Sequence, residues 1–242
     1  MSPADAASNR PPRLALVMPA AGNSRRMGGA RRKPLLELHG IPIIAHTLER
    51  FQPVGGIQQA VIVAHPDDVP TIRTDCWAQL AALGATDLVP GGARRQDSVA
   101  RGLAALRPDI DLVLIHDAVR PFVPRRAIDE AVRMALEHGA AIVAMPVPDT
   151  VKRADGDGTR QTVPRADLWG AQTPQVFRLE LIRRALEAAD REGFECTDDA
   201  QLVERLGHEV KLVRGSYQNF KITTPDHLRM AEALLSQPGR DE

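Results

Sequence analysis

The chain has 242 residues, 43% of them hydrophobic and 26% charged, the balance of a globular protein long enough to bury a full core as one α/β domain or two small ones. Its formal net charge is zero, so no global field draws it to nucleic acid or to a membrane surface, and neither is expected as a partner. Its two cysteines, Cys76 and Cys196, lack CxxC spacing and suggest neither a disulfide framework nor a zinc site; no apolar run reaches the ~18 residues of a membrane span, and the short polar tail before Leu14 has no signal-peptide core, so a reducing cytoplasm is the expected setting.

The first predicted strand is "LALVMPA" (14–20). It runs into "PAAGNSRRMGGARRKP" (19–34), which holds three glycines, four arginines, one lysine and no acid. Small residues at Ala20, Ala21 and Gly22 let a ligand approach the backbone, and consecutive N–H groups there can form an anion-binding nest. Neither GxxxxGK[ST] nor GxGxxG is present, which excludes a P-loop and a dinucleotide fingerprint. A loop this positive repels itself unless it meets an anion, and a polyphosphate is the natural partner.

A helix is expected over 42–51, with Pro42 at its first position. Further strands are predicted at "AVIVAH" (60–65), "LVLIH" (112–116), "AAIVAMPV" (140–147) and "EVKLV" (209–213). Between and after them, helical periodicity marks 74–83, 95–106, 124–138, 178–192, 197–206 and 225–235, with Thr197 opening its helix ahead of two acids. Continuous apolar strands alternating with helices predict a mostly parallel sheet covered on both faces. The polar stretch 148–170 departs from that pattern. "DTVKR" and "RQTVPR" read as the arms of a β-hairpin around Asp155–Gly158, reaching outward as a subunit contact would. Of the 31 basic residues only Lys33, Lys152, Lys211 and Lys221 are lysines, which points to places where a compact, mobile ammonium is wanted.

Seven segments in order resemble blocks of the sugar-phosphate nucleotidyltransferases, specifically the 2-C-methyl-D-erythritol 4-phosphate cytidylyltransferase family. They are the opening loop, "GGARRQDSVARGL" (91–103), "IHDAVRPF" (115–122), "PVPDTVKR" (146–153), "VPRADLWGAQTPQ" (163–175), "CTDDA" (196–200) and "NFKITTPDHL" (219–228). The resemblance implies a Rossmann-like three-layer α/β fold with a mostly parallel central sheet and a protruding β-hairpin arm. It implies a tail over 1–12, a single nucleotidyltransferase domain over 13–236, and 148–170 as the dimerisation arm of a homodimer. The implied reaction transfers CMP from CTP to methylerythritol phosphate, an isoprenoid precursor of the non-mevalonate route, and releases pyrophosphate. Because the attacking phosphate is already an anion, no covalent nucleophile or general base is required, and His116 is read as a packed strand histidine.

Carried over by motif, Arg26 and Lys33 stabilise the transition state, and Ala20, Ala21 and Gly22 meet the nucleotide through their backbone. Gly92 and Ser98 lie at the cytosine, although Ala93 stands where the family often has an acid. Asp117 is the implied Mg²⁺ ligand, and Arg120 holds substrate hydroxyls. Arg165 and Lys221 orient the sugar phosphate, with Thr150, Thr173 and Thr197 adding hydroxyl contacts. A sister family acting on ribitol 5-phosphate tends to have AGG in place of Ala20-Ala21-Gly22, which favours methylerythritol phosphate. A nucleotide-binding regulator without turnover would not need Arg26, Lys33, Asp117 and Lys221 together.

Overall fold

A computed structural model describes residues 10–22 and 31–237 of the chain. Its centre is β1 (Leu14–Ala20), whose side chains alternate between two apolar layers: Leu14, Leu16, Met18 and Ala20 face one, Ala15 and Val17 the other. β4 (Ile57–Ala64) and β6 (Leu112–Ile115) flank β1 in parallel and divide their residues in the same way. Such strands have no polar face, which is why they read as unbroken apolar runs. β5 (Asp87–Pro90), β7 (Ala140–Pro146), β10 (Trp169–Arg178) and β11 (Lys211–Arg214) complete a seven-stranded sheet in the order β11-β7-β10-β6-β1-β4-β5. Only β10 runs antiparallel to its neighbours.

Helices cover both faces. On one side lie α1 (Ile43–Glu49), the segment formed by α2 (Val69–Thr71), a π-helical turn (Ile72–Cys76) and α3 (Trp77–Ala82), and α5 (Arg125–His138). On the other lie α4 (Arg95–Ala104), α6 (Leu179–Glu192) and α7 (Asp199–Arg205). α8 (Pro225–Leu235) packs its buried Ala231 in a smaller cluster with Leu38, Ile43, Val119 and Ile222, over the short hairpin of β2 (Glu37–Leu38) and β3 (Ile41–Pro42). The three-layer α/β arrangement matches the expectation.

β8 (Val151–Asp155) and β9 (Gly158–Val163) form a separate two-stranded hairpin with Gly156 in the left-handed region at φ 56°. Apart from the half-buried Val151 and Val163, its residues are exposed on both faces. This is the hairpin arm expected from the sequence, but the polar stretch ends differently: Trp169 and Gly170 already belong to β10. Two strands of the central sheet were not anticipated. β5 is only four residues long, and β10 is interrupted by Gln172-Thr173-Pro174, where the pairing with β7 shifts register. Two helix starts also move. Pro42 keeps extended geometry at ψ 140° and precedes α1, while the cap of α7 is Asp198, whose side chain accepts the Gln201 N–H, and not Thr197.

The chain steps outward from β1 to β4 and β5, then returns to the opposite side of β1 at β6. The loops leaving β1 and β6 therefore diverge, and a crevice opens beyond their carboxyl ends. α4 lies close against this part of the sheet because Gly102 carries no side chain: a Cβ there would sit 2.5 Å from Val17 Cγ1 and 2.9 Å from Val63 Cγ2. Both valines are fully buried on stiff strands and cannot swing away. Gly102→Ala is therefore expected to lose about 1–3 kcal/mol by overpacking, more than offsetting the ~1 kcal/mol gain in helix propensity. A thermal melt lower by roughly 2–6 °C would show this; an unchanged or raised midpoint would mean that α4 has room to shift.

Candidate active site

Five segments meet in the crevice: the end of β1 with Ala20, Ala21 and Gly22; Lys33 at the start of a 3-10 turn (Lys33–Leu35); the turn from Gly92 into α4; Asp117 just past β6; and the segment from Lys221 into α8. They enclose a cleft of about 510 Å³. That is room for a nucleotide-sized ligand and far more than one phosphate group needs.

Close backbone approach shapes the cleft wall. A Cβ on Gly91 would lie 2.3 Å from Ala21 Cβ and 2.8 Å from Ser98 Oγ, so the loops after β1 and β5 touch only because Gly91 has none. The Gly92 N–H donates to Ser98 Oγ at 3.1 Å, and the Ser98 hydroxyl donates to the Arg94 carbonyl at 3.1 Å. Asp97 accepts the Arg94 N–H at 3.1 Å and closes the first turn of α4. Gly92 and Ser98 are thus one hydrogen-bonded unit facing the β1 loop.

Asp117 is the electrostatic centre. Its side chain is 8% exposed and has Lys221 Nζ at 3.1 Å, Arg120 Nε at 3.3 Å and Arg95 Nε at 3.5 Å. Burial alone would push the carboxyl up, but Lys221, Arg95 and Arg120 together hold it well below the usual carboxylate range. The Asp117 N–H donates to Thr173 Oγ1 at 3.1 Å, and the Thr173 hydroxyl donates to His116 Nδ1 at 3.0 Å. His116 Nε2 lies 3.0 Å from the Arg120 carbonyl, which assigns its proton to that nitrogen. Arg120 also donates from Nη1 to the Asn219 carbonyl at 2.8 Å. The Asn219 amide donates to the Thr173 carbonyl at 2.9 Å.

Of the residues singled out in the sequence, Ala20, Ala21, Gly22, Lys33, Gly92, Ser98, Asp117 and Lys221 line this one cleft. Arg120 and Thr173 sit behind Asp117, with the polar contacts just described. Thr150 and Arg165 are exposed beside the hairpin arm, away from the cleft wall. Thr197 is also exposed, its N–H and hydroxyl donating to Gln201 Oε1. Arg26 lies outside the described residues. Among the cleft residues that were missed are Arg95, Thr223 and Thr224. Arg95 was hidden beside Arg94, since adjacent arginines at a helix start give no clue which one turns inward. Thr223 and Thr224 looked like an ordinary helix start, and Thr224 does cap α8 by accepting the His227 N–H.

The profile of the family described as 2-C-methyl-D-erythritol 4-phosphate cytidylyltransferase matches residues 14–237. The chain belongs to that family. A cytidylyltransferase of this name from Bacillus velezensis is 44% identical over 221 residues, covering 91% of this chain and 94% of the relative. One from Geotalea uraniireducens is 42% identical over 225 residues. Among solved structures, the Thermus thermophilus 2-C-methyl-D-erythritol 4-phosphate cytidylyltransferase has a TM-score of 0.77 at 38% identity, covering 91% of this chain and 97% of that one. The Anaerococcus prevotii 4-diphosphocytidyl-2C-methyl-D-erythritol synthase has a TM-score of 0.80 at 31% identity, covering 93% and 99%.

In this cytidylyltransferase His116 is wholly buried, and burial lowers its pKa from 6.5 to about 4. The unfolded chain therefore takes up a proton that the folded chain refuses. The stabilising contribution is complete above pH 6.5 and is lost as the pH falls toward 4, on the order of 3 kcal/mol in all. Urea unfolding across that window is expected to show a smaller loss for His116→Gln than for the unaltered chain. Parallel curves would place the acid sensitivity elsewhere.

Proposed function

We infer that the chain is a CTP-dependent cytidylyltransferase that transfers CMP to 2-C-methyl-D-erythritol 4-phosphate, one step of isoprenoid precursor synthesis. The observation that carries this reading is the cationic cleft at the switch point of the sheet, with Lys33 and Lys221 facing it beside the backbone cradle of Ala20, Ala21 and Gly22. A phosphate oxygen of the sugar phosphate attacks the α-phosphorus of CTP. A new P–O bond forms as the bond from the α-phosphorus to the bridging oxygen breaks, and the electron pair leaves with pyrophosphate. No proton need move from a side chain, which agrees with a His116 held neutral and out of reach. What the protein must supply is positive charge aimed where negative charge accumulates.

In this reading Lys33 and Arg26 stabilise charge on the reacting phosphates, and Gly92 and Ser98 bound the cytosine. Lys221 receives the sugar phosphate. Arg120 and Thr173 hold Asp117 from behind. No group of three or more metal-binding side chains gathers among the described residues. A single carboxylate beside a triphosphate site nevertheless fits Mg²⁺, which keeps several waters and takes its other ligands from the nucleotide. Asp117 would hold it, and when bound it would neutralise phosphate charge. Cys76 and Cys196 are free thiols, and no described helix is long and apolar enough to cross a membrane; we place the enzyme in the cytoplasm.

Pyrophosphate release is the direct test. With Mg²⁺ and methylerythritol phosphate, CTP is expected to support turnover and ATP and GTP are not, while ribitol 5-phosphate is a poor acceptor. EDTA is expected to abolish turnover without changing the circular dichroism of the chain. Equal rates with ATP would sink the cytosine assignment, and a preference for ribitol 5-phosphate would move the enzyme to the sister activity.

We further propose a homodimer in which the β8–β9 arm brings Thr150 and Arg165 to the partner's cleft. The arm has no apolar face of its own, and both residues lie away from the cleft of their own chain. Lys33→Ala and Arg165→Ala dimers are each expected to be nearly inactive, losing about 10²-fold or more. Mixing them gives dimers in which one site carries both lesions and the other neither. Random exchange then restores about a quarter of full activity, because half the dimers are mixed and each has one intact site. No recovery after verified exchange would return Arg165 to its own chain's site.

A further inference from the structure

Asp117 is held by three cations, and the third of them, Arg95, was not singled out in the sequence. Arg95 stands at the first position of α4, with Nε 3.5 Å from Asp117 Oδ1 and Nη2 donating to Asp199 Oδ2 at 2.7 Å. Asp199 is fully buried at the start of α7, and its other oxygen, Oδ1, has no hydrogen-bond partner among the described residues. Arg95 is therefore its principal compensation, and the pair holds the guanidinium in one place. Burial works against the charge on Arg95, but the two carboxylates beside it hold its pKa above the ordinary arginine value. The two oxygens of Asp117 are divided accordingly. Oδ1 faces Arg95, while Oδ2 faces Arg120 at 3.3 Å and Lys221 at 3.1 Å.

We propose that Arg95, anchored by Asp199, is a positioning residue for Asp117 that fixes the plane of its carboxylate and weakens its hold on Lys221. The inference rests on the cytidylyltransferase reading above. A guanidinium suits the task because it spans two carboxylates at once, where an ammonium presents a single point of charge. Without Arg95, Asp117 turns toward its remaining cations, and Lys221 is less available to an incoming phosphate. Asp199 thus acts at second hand, through Arg95.

A plain structural brace between α4 and α7 is the competing account, and a double-mutant cycle separates the two. The unaltered chain, Arg95→Ala, Asp117→Asn and the double variant are compared for kcat/KM with methylerythritol phosphate and for CTP affinity by titration calorimetry with Mg²⁺. Arg95→Ala is expected to lower kcat/KM about 10–100-fold in the unaltered chain and less than about twofold once Asp117 is asparagine. Arg95→Lys is expected not to restore it, and Asp199→Asn, which keeps the side-chain volume, to reproduce at least a tenfold loss. Equal losses in both backgrounds, or a lowered melting temperature with kcat/KM unchanged, would overturn the proposal. Should Arg95→Ala not fold, Arg95→Lys and Asp199→Asn in the two backgrounds make the same comparison. Absence of turnover by the unaltered chain would instead remove the reading of function, and calorimetric coupling between positions 95 and 117 would still decide this inference.

Discussion

A nearly buried carboxylate is costly unless it is compensated, and the whole site is arranged around meeting that cost at Asp117. The three cations that keep it ionised come from separate parts of the chain: Arg95 from the start of α4, Arg120 from the turn after β6, and Lys221 from the segment leading into α8. Each would repel the others in an empty cleft. Asp117 therefore serves as an internal counter-ion that draws these elements together before any ligand arrives. Because Arg95, Arg120 and Lys221 outnumber Asp117 and Asp199 among the described residues of this cluster, it retains a pull on phosphates.

The oddest strand in the sheet follows from the same constraint. β10 runs antiparallel in the middle of an otherwise parallel sheet and is polar where its neighbours are apolar. Those polar side chains hold the site from beneath. Gln172 receives the Asn219 amide at 3.0 Å, and Thr173 joins His116 to the Asp117 backbone. Gln175 donates to Asp198 at 2.9 Å and accepts the Ala200 N–H at 3.0 Å, tying the sheet to the start of α7. An all-apolar β10 would satisfy the core and leave Asp117, Asp198 and Asn219 without their supports.

Legibility in the sequence divides along this line. β1, β4, β6 and β7 could be read because burial on both faces leaves an apolar run, and β11, an edge strand with only Val213 buried, was read from its short apolar stretch. β10 could not, because its central positions are spent on hydrogen bonds whose partners lie far along the chain, and local pattern carries no trace of them. The glycine-rich loop and the position of Asp117 after β6 were visible because strand ends and small residues are local features. The Arg95–Asp199 pair joins residues 104 positions apart. Nothing near either one distinguishes it from surface charge until the fold brings α4 and α7 together. Thr197 misled for a related reason: a threonine before two acids is a good cap in isolation, but Asp198 caps α7 and Gln201 occupies the threonine.

The scarcity of lysine acquires a physical sense in this setting. Arginines do the fixing: Arg120, 13% exposed, spans Asp117 and the Asn219 carbonyl, and Arg95 spans two carboxylates. A planar fork with fixed donors is suited to holding two partners in one geometry. Lys221, with its side chain 41% exposed, meets Asp117 through one mobile ammonium on a flexible stem. That contact can be exchanged for a phosphate oxygen with little rearrangement, whereas withdrawing Arg120 or Arg95 would break two contacts, and withdrawing Arg95 would also strand the buried Asp199. A site that must bind an anion, change its bonding and release it needs both kinds of cation. On the proposed reading, the arginines keep the frame constant while Lys221 follows the phosphate.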